Sequence, residues 1–313
     1  MENGNISSDF YFTVFKEQNQ FRYFFFMISL LVYLSIIFFN AIILSVVFKE
    51  KSLHEPMYFL ICCLCINALY GTAGFFPRLL IDFLSDTHKI SRQACFTQIF
   101  VIYTYAISEY TILTLMSFDR HAAICHPLKY HNIMTPKVTS VCIAFAFLYG
   151  IFYMGLVIFF SVRLPLCGNE IERLYCSNWS VVRLSCVPTT SNNILGYFIT
   201  ITTVFAPASF IVFTYVRILI ICQKMSSEYR GKALQTCVPH IVAFVNYSVA
   251  SFCDIALSRH DLGKYQVVAL VFSVEFLVIP PILNPLIYGL NLPDIRRKIL
   301  CFFHLSKIGL ASV

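Results

Sequence analysis

Seven apolar stretches, each long enough to cross a bilayer, constrain this chain more than any other feature. They lie at 24–48, 57–81, 96–119, 138–161, 194–222, 235–257 and 267–290. Crossing roughly 30 Å of hydrocarbon takes about 20 helical residues. In that medium a helix satisfies its own backbone, whereas an open strand or loop cannot. The expected fold is therefore an all-α membrane protein, a seven-transmembrane helix bundle with a short amphipathic eighth helix. Composition excludes the soluble alternative: of 313 residues 58% are hydrophobic and 12% charged, against about 25% charge in an ordinary soluble domain. The net charge of +7 is spread among loops and gives no nucleic-acid footprint. The first twenty residues are polar and mixed, so no cleavable signal peptide is expected and the first span serves for insertion. The chain divides into an extracellular tail (1–23), the bundle (24–290) and a cytoplasmic tail with an amphipathic helix (291–313).

Seven spans put the termini on opposite sides, and Lys/Arg lean slightly towards an extracellular amino terminus. Asn5-Ile6-Ser7 is a glycosylation sequon in the tail, and Asn178-Trp179-Ser180 is a second in the long connection after the fourth span. A third match, Asn246-Tyr247-Ser248, falls inside the sixth span and is set aside. Cys95, Cys167, Cys176 and Cys186 lie on the outer side. Four cysteines in an oxidising compartment suggest two disulfides, and three pairings are open. The remaining cysteines sit in or beside helices as small apolar fillers.

The third span runs into Met116-Ser117-Phe118-Asp119-Arg120-His121-Ala122-Ala123-Ile124-Cys125-His126-Pro127-Leu128-Lys129-Tyr130. An acid and a base here sit where bilayer gives way to water. They can be an ordinary charged helix end, or a pair that holds the bundle shut. Leu53-His54-Glu55-Pro56-Met57-Tyr58-Phe59-Leu60 enters the second span, with Pro56 at a helix start where its missing N–H costs nothing. Lys232-Ala233-Leu234-Gln235-Thr236-Cys237-Val238-Pro239-His240 opens the sixth. The seventh ends Pro280-Pro281-Ile282-Leu283-Asn284-Pro285-Leu286-Ile287-Tyr288. There Pro285 breaks the backbone ladder, Asn284 is expected to satisfy a freed group, and Tyr288 lies a turn below. Asp294, Arg296, Arg297 and Lys298 then lead an amphipathic piece ending near His304, drawn to anionic lipid. Cys301 within it is a candidate for acylation.

These four strings, in this order, closely resemble the signatures of olfactory (odorant) receptors, a branch of the rhodopsin-like (class A) G protein-coupled receptors. The segment LCINALYGTAGFFP, which begins at Leu64, further resembles the fish-type receptors of water-living vertebrates. The resemblance implies a receptor that binds a small-molecule odorant in its outer half and opens inside to engage a stimulatory, olfactory-type heterotrimeric G protein. It implies a plasma-membrane location in olfactory cilia. Asp119 and Arg120 become the lock and the G-protein-facing arginine, and Asn284, Pro285 and Tyr288 a switch. The bridges implied are Cys95–Cys176 and Cys167–Cys186, which would fix the long loop as a lid.

Three departures matter. His121 stands where many relatives have Tyr; a titratable ring there could add pH sensitivity, though a neutral substitution is the simpler reading. The acid common midway along the second span is replaced by Ala68, beside Asn67, which puts a sodium site in doubt. Glu109, deep in the third span, would cost about 2.5–3.5 kcal/mol if buried charged and alone, so it is expected protonated or in contact with Asn67. The sixth span has no Trp. The single Trp of the chain is Trp179 in the outer loop.

Ile102 occupies the position where amine receptors carry an aspartate, which argues against a bioamine. Tyr103, Tyr105, Ala106 and Ile107 of the third span face the outer half, with Thr200, Thr202 and Thr203 of the fifth and Asn246, Tyr247 and Ser251 of the sixth. Apolar walls with a few hydroxyls suit a small, partly polar, water-soluble molecule, although each residue can equally serve helix packing. A cation among Arg78 and Arg259, near Asp254, would favour a carboxylate odorant if it faced the bundle. A transporter would need inverted repeats or broken midplane helices, which are absent from the sequence pattern. No H-E-x-x-H, G-x-S-x-G or phosphate-binding glycine loop occurs, so neither enzyme chemistry nor a metal or cofactor is expected. A chemosensory receptor outside the nose is the remaining alternative.

Overall fold

A computed structural model describes residues 9–17, 21–258 and 266–310, so Asn5 and Arg259 lie outside the described residues. Among the described residues, seven helices long and apolar enough to span a membrane make the body. They are α1 (Arg22–Lys49), α2 (Pro56–Leu84), α3 (Arg92–Cys125), α4 (Pro136–Val162), α5 (Thr190–Cys222), α6 (Ser227–Ser258) and α7 (Gln266–Asn291). The eighth, α8 (Pro293–Leu310), runs past the expected end at His304. The protein is thus an all-α, seven-span bundle with the expected amphipathic helix.

Local chemistry sets the helix starts. Pro56 and Pro136 take first-turn positions, and the Ser91 and Thr135 side chains accept from the N–H groups of Ala94 and Val138. The α6 start at Ser227 lies eight residues before the apolar run because the charged segment around Arg230 continues the helix beyond the bilayer. In α5 a π-helical turn, Ile201–Phe205, ends two residues before Pro207, whose missing N–H cannot continue the ordinary ladder.

At the centre stands α3, against α2, α4, α5 and α6, while α7 closes the ring against α1, α2 and α6. Its packing on α2 is close: a Cβ at Gly71 would overlap the Tyr105 ring, which is how small residues let membrane helices approach. The outward side chains of α1, α4 and α5, such as Leu31, Phe152 and Phe213, are exposed and apolar, as a lipid-facing belt requires. At one end α8 folds back on α1: Lys298 pairs with Glu50 at 2.5 Å, Lys49 lies 4.7 Å from the Phe302 ring centre, and the Tyr58 hydroxyl donates to Asp294 at 3.3 Å.

The opposite end carries an element that hydropathy did not suggest. Strand β1 (Asp9–Phe12) pairs antiparallel with β2 (Lys89–Ser91) and parallel with β3 (Glu170–Ile171). Phe10 and Phe12 alternate inward and are buried. Arg78, rather than facing a ligand, donates to Asp82 at 2.7 Å and to the Lys89 carbonyl at 2.7 Å, with the Phe12 ring 5.6 Å away. The amino-terminal strand is thereby stitched to two loops.

Candidate functional site

Cys95 and Cys176 are joined, tying the long connection to the first turn of α3, and Cys167 and Cys186 close a loop within it. Gln98 reinforces the first tie: its amide donates to the Gly74 carbonyl at 3.1 Å and its carbonyl accepts the Cys176 N–H at 2.9 Å. The connection so held lowers a short helix, Asn178–Val182, over the bundle. Beneath it lies a cavity of about 180 Å³ bounded by α3, α4, α5, α6 and α7.

Six of the seven ligand candidates line this cavity: Tyr103, Ala106 and Ile107 from α3, Thr203 from the π turn of α5, and Tyr247 and Ser251 from α6. Thr200 joins them. Asn246 does not; Tyr247, Ser251 and Asp254 form one helical stripe at intervals of four and three, and Asn246 is about 100° off it. Tyr105 is also off the cavity: its hydroxyl donates to the Phe276 carbonyl at 2.9 Å and ties α3 to α7. The Thr202 hydroxyl bonds back to Phe198 and the Thr202 carbonyl accepts from Tyr149.

Tyr110 and Asp254 extend stripes already visible in the sequence, one turn beyond Ile107 and Ser251. The contributions of Met154, Val157, Trp179, Asn192 and Asn193 had no such signal, because the folded loop and the placing of α4 decide them. Asn178 lines the cavity as well, and its carbonyl oxygen accepts the Ser161 hydroxyl at 2.8 Å. Asp254 is buried and accepts from Arg173 at 3.1 Å and from the Tyr175 hydroxyl at 3.4 Å, so the loop is clamped to α6. Burial, then nearby Asp254, pushes the Tyr175 phenol well above its ordinary range and keeps it a donor.

Midway down, Glu109 is satisfied from two helices: the Asn67 amide donates to one carboxyl oxygen and the Asn284 amide to the other, each at 2.8 Å. Asn284 therefore does not serve the backbone freed by Pro285. That carbonyl, at Pro281, accepts from the Asn40 amide of α1 at 2.9 Å, since Pro285 supplies no N–H four residues on. Tyr288 is buried, and its hydroxyl has no partner among the described residues. Among the described residues no cluster suited to a metal ion occurs.

At the far end of α3, Arg120 pairs with its neighbour Asp119, which is fully buried. The Tyr130 hydroxyl, which the sequence did not single out, donates to the other Asp119 oxygen at 2.8 Å. Burial and Asp119 together hold the Tyr130 phenol above its ordinary range, so it stays a donor. About two turns inward, His240 of α6 bridges the Tyr215 hydroxyl of α5 and, at 2.9 Å, the Leu113 carbonyl of α3. His121 faces His126, with ring centres 5.8 Å apart.

Comparison with known proteins adds two findings. Residues 29–305 match the family described as olfactory receptor. Olfactory receptor 51E1 of Homo sapiens is 33% identical over 311 residues, covering 97% of this chain and 96% of the relative. Olfactory receptor 51I2 of Homo sapiens is 35% identical over 274 residues, 86% of this chain and 87% of the relative. Olfactory receptor 10J5 of Homo sapiens is 31% identical over 292 residues, 92% and 93%.

Proposed function

The chain belongs to the olfactory receptor family of class A G protein-coupled receptors, and we propose on that basis that it binds a small, water-soluble organic molecule in the cavity beneath the disulfide-held loop and activates a stimulatory, olfactory-type G protein at the Asp119–Arg120 end. It is a multi-pass membrane receptor, not an enzyme, and the partners of its family are the bilayer and heterotrimeric G proteins. The proposed orientation has the amino terminus and the loop outside, with Asn5 glycosylated and the protein in the membrane of olfactory cilia. Residues 1–23, 24–290 and 291–313 act as tail, receptor bundle and cytoplasmic segment.

The observation that carries this reading is the arrangement along α3. Tyr103, on the cavity, and Arg120, at the other end, are about 25 Å apart along one helix. A ligand cannot touch both. It acts by binding one arrangement of the bundle better than another, shifting the population. Asp119, Tyr130 and Arg120 hold the closed arrangement, and the Asn284–Glu109–Asn67 node lies between the two ends. The water-soluble part of the reading is supported by the cavity's amides and hydroxyls, and its fish-type origin by the LCINALYGTAGFFP resemblance alone.

Cyclic AMP in cells expressing this chain with an olfactory-type stimulatory G protein tests the proposal. A response to pooled odorants that Arg120→Ala abolishes, at equal surface expression, is expected. Signalling retained in Arg120→Ala would remove the assigned role of the arginine.

A further inference from the structure

We propose that the cavity recognises a protonated amine: a small alkyl- or arylalkyl-ammonium whose charge is shared between Asp254 and a surrounding set of aromatic rings. The inference rests on the ligand reading above and deepens it. Among the described lining residues Asp254 is the only one with a charged side chain; no Lys, Arg or His joins it. Arg173, which pairs with Asp254 at 3.1 Å, is not among the lining residues, so a carboxylate ligand would meet the acid and no cation at the cavity wall. An ammonium would meet its counter-ion.

The rings complete the chemistry. Tyr103, Tyr110, Trp179, Tyr247 and Phe276 line the same space, and an aromatic face attracts a cation most strongly where water is excluded. One of the phenols is already engaged through oxygen. The Tyr247 hydroxyl donates to the Ala106 carbonyl at 2.9 Å. What Tyr247 offers a ligand is the ring rather than the hydroxyl. Tyr110 and Tyr247 sit edge to face with centres 4.8 Å apart, which fixes both.

Asp254 has capacity to spare. Among the described residues the bonds from Arg173 and Tyr175 both end on Oδ1, and a carboxylate oxygen pair can accept about four hydrogen bonds. An ammonium can therefore join at Oδ2 without displacing the loop. The carboxylate comes from α6, not from the α3 position held by Ile102, so the absence of an acid there does not exclude amines for this chain.

The test is a matched series of primary and tertiary amines, alcohols and carboxylates on the same carbon skeletons, read as cyclic AMP and as thermal stabilisation of the purified receptor. An amine response is expected, with the isosteric alcohol at least about tenfold weaker and the carboxylate inactive. Asp254→Asn should weaken amine potency about 10- to 100-fold, the worth of one charged hydrogen bond. Because that change leaves Arg173 unpaired, the double variant Arg173→Gln/Asp254→Asn is measured beside it at confirmed surface expression, with the same loss expected. Absence of both a cyclic AMP response and thermal stabilisation with every amine, or an amine effect unchanged in both variants, overturns the inference. A response to carboxylates or alcohols alone that Arg120→Ala abolishes also overturns it, yet leaves the receptor reading standing. Stabilisation by amines without a cyclic AMP response supports the inference and counts against the receptor reading.

Discussion

Glu109 shows how a residue costly by itself becomes tolerable through two neighbours. Its oxygens take the Asn67 and Asn284 amides, and truncation would strand both donors in a buried site, at about 1–3 kcal/mol each. Glu109→Leu should therefore lower the thermal midpoint in detergent. Replacing Asn67, Glu109 and Asn284 all by Leu should recover part of the loss, because no donor is then left unpaired. A midpoint unmoved by Glu109→Leu would show that the node carries no stability. At the far end, Tyr130→Phe deletes one donor to Asp119 and frees part of the carboxylate's hold on the closed arrangement. Raised ligand-independent cyclic AMP is the expected reading, with unchanged basal signal counting against a lock. The acid, the arginine and Glu109 were legible because charge in an apolar run stands out. Tyr130 was not, since a Tyr in a polar loop carries no such contrast.

Among the elements, α7 has the least self-sufficient backbone. Pro285 cannot supply the N–H that the Pro281 carbonyl would take in a regular helix, and Asn40 of α1 supplies one instead. Asn40→Leu should cost about 1–3 kcal/mol, measured as a lower thermal midpoint, whereas an exposed α1 position such as Leu31→Ile should leave it unchanged. The prolines announce a defect in the sequence, but not which helix repairs it. Asn284, the nearest amide in sequence, turns to Glu109 because the folded bundle brings that acid within 2.8 Å. The π turn of α5 is a similar case: Pro207 is legible, while the wider turn ahead of it and the aim of Thr203 into the cavity follow from packing against α3.

For the molecule taken entire, the disulfides decide how firmly the lid is set. In the chain-entropy account, closing the 81-residue separation of Cys95 and Cys176 is worth about 4.5 kcal/mol and the 19-residue separation of Cys167 and Cys186 about 3 kcal/mol. Cys95→Ser/Cys176→Ser should thus reduce thermal stability and surface expression more than Cys167→Ser/Cys186→Ser; the reverse order would mean that loop entropy is not what these bridges supply. The seven spans, the helix start at Pro56, the class of protein and the Asp119–Arg120 pair are all legible in the sequence. Each is written locally, in hydropathy runs, caps and contiguous motifs. Packing was needed to show that Asp9–Phe12 joins a sheet with two loops, that Asn178 turns into the cavity, and that Arg173 meets Asp254. The sheet and the Arg173 clamp join residues roughly 80 to 160 positions apart, and no local pattern encodes a meeting that exists only once the helices have packed.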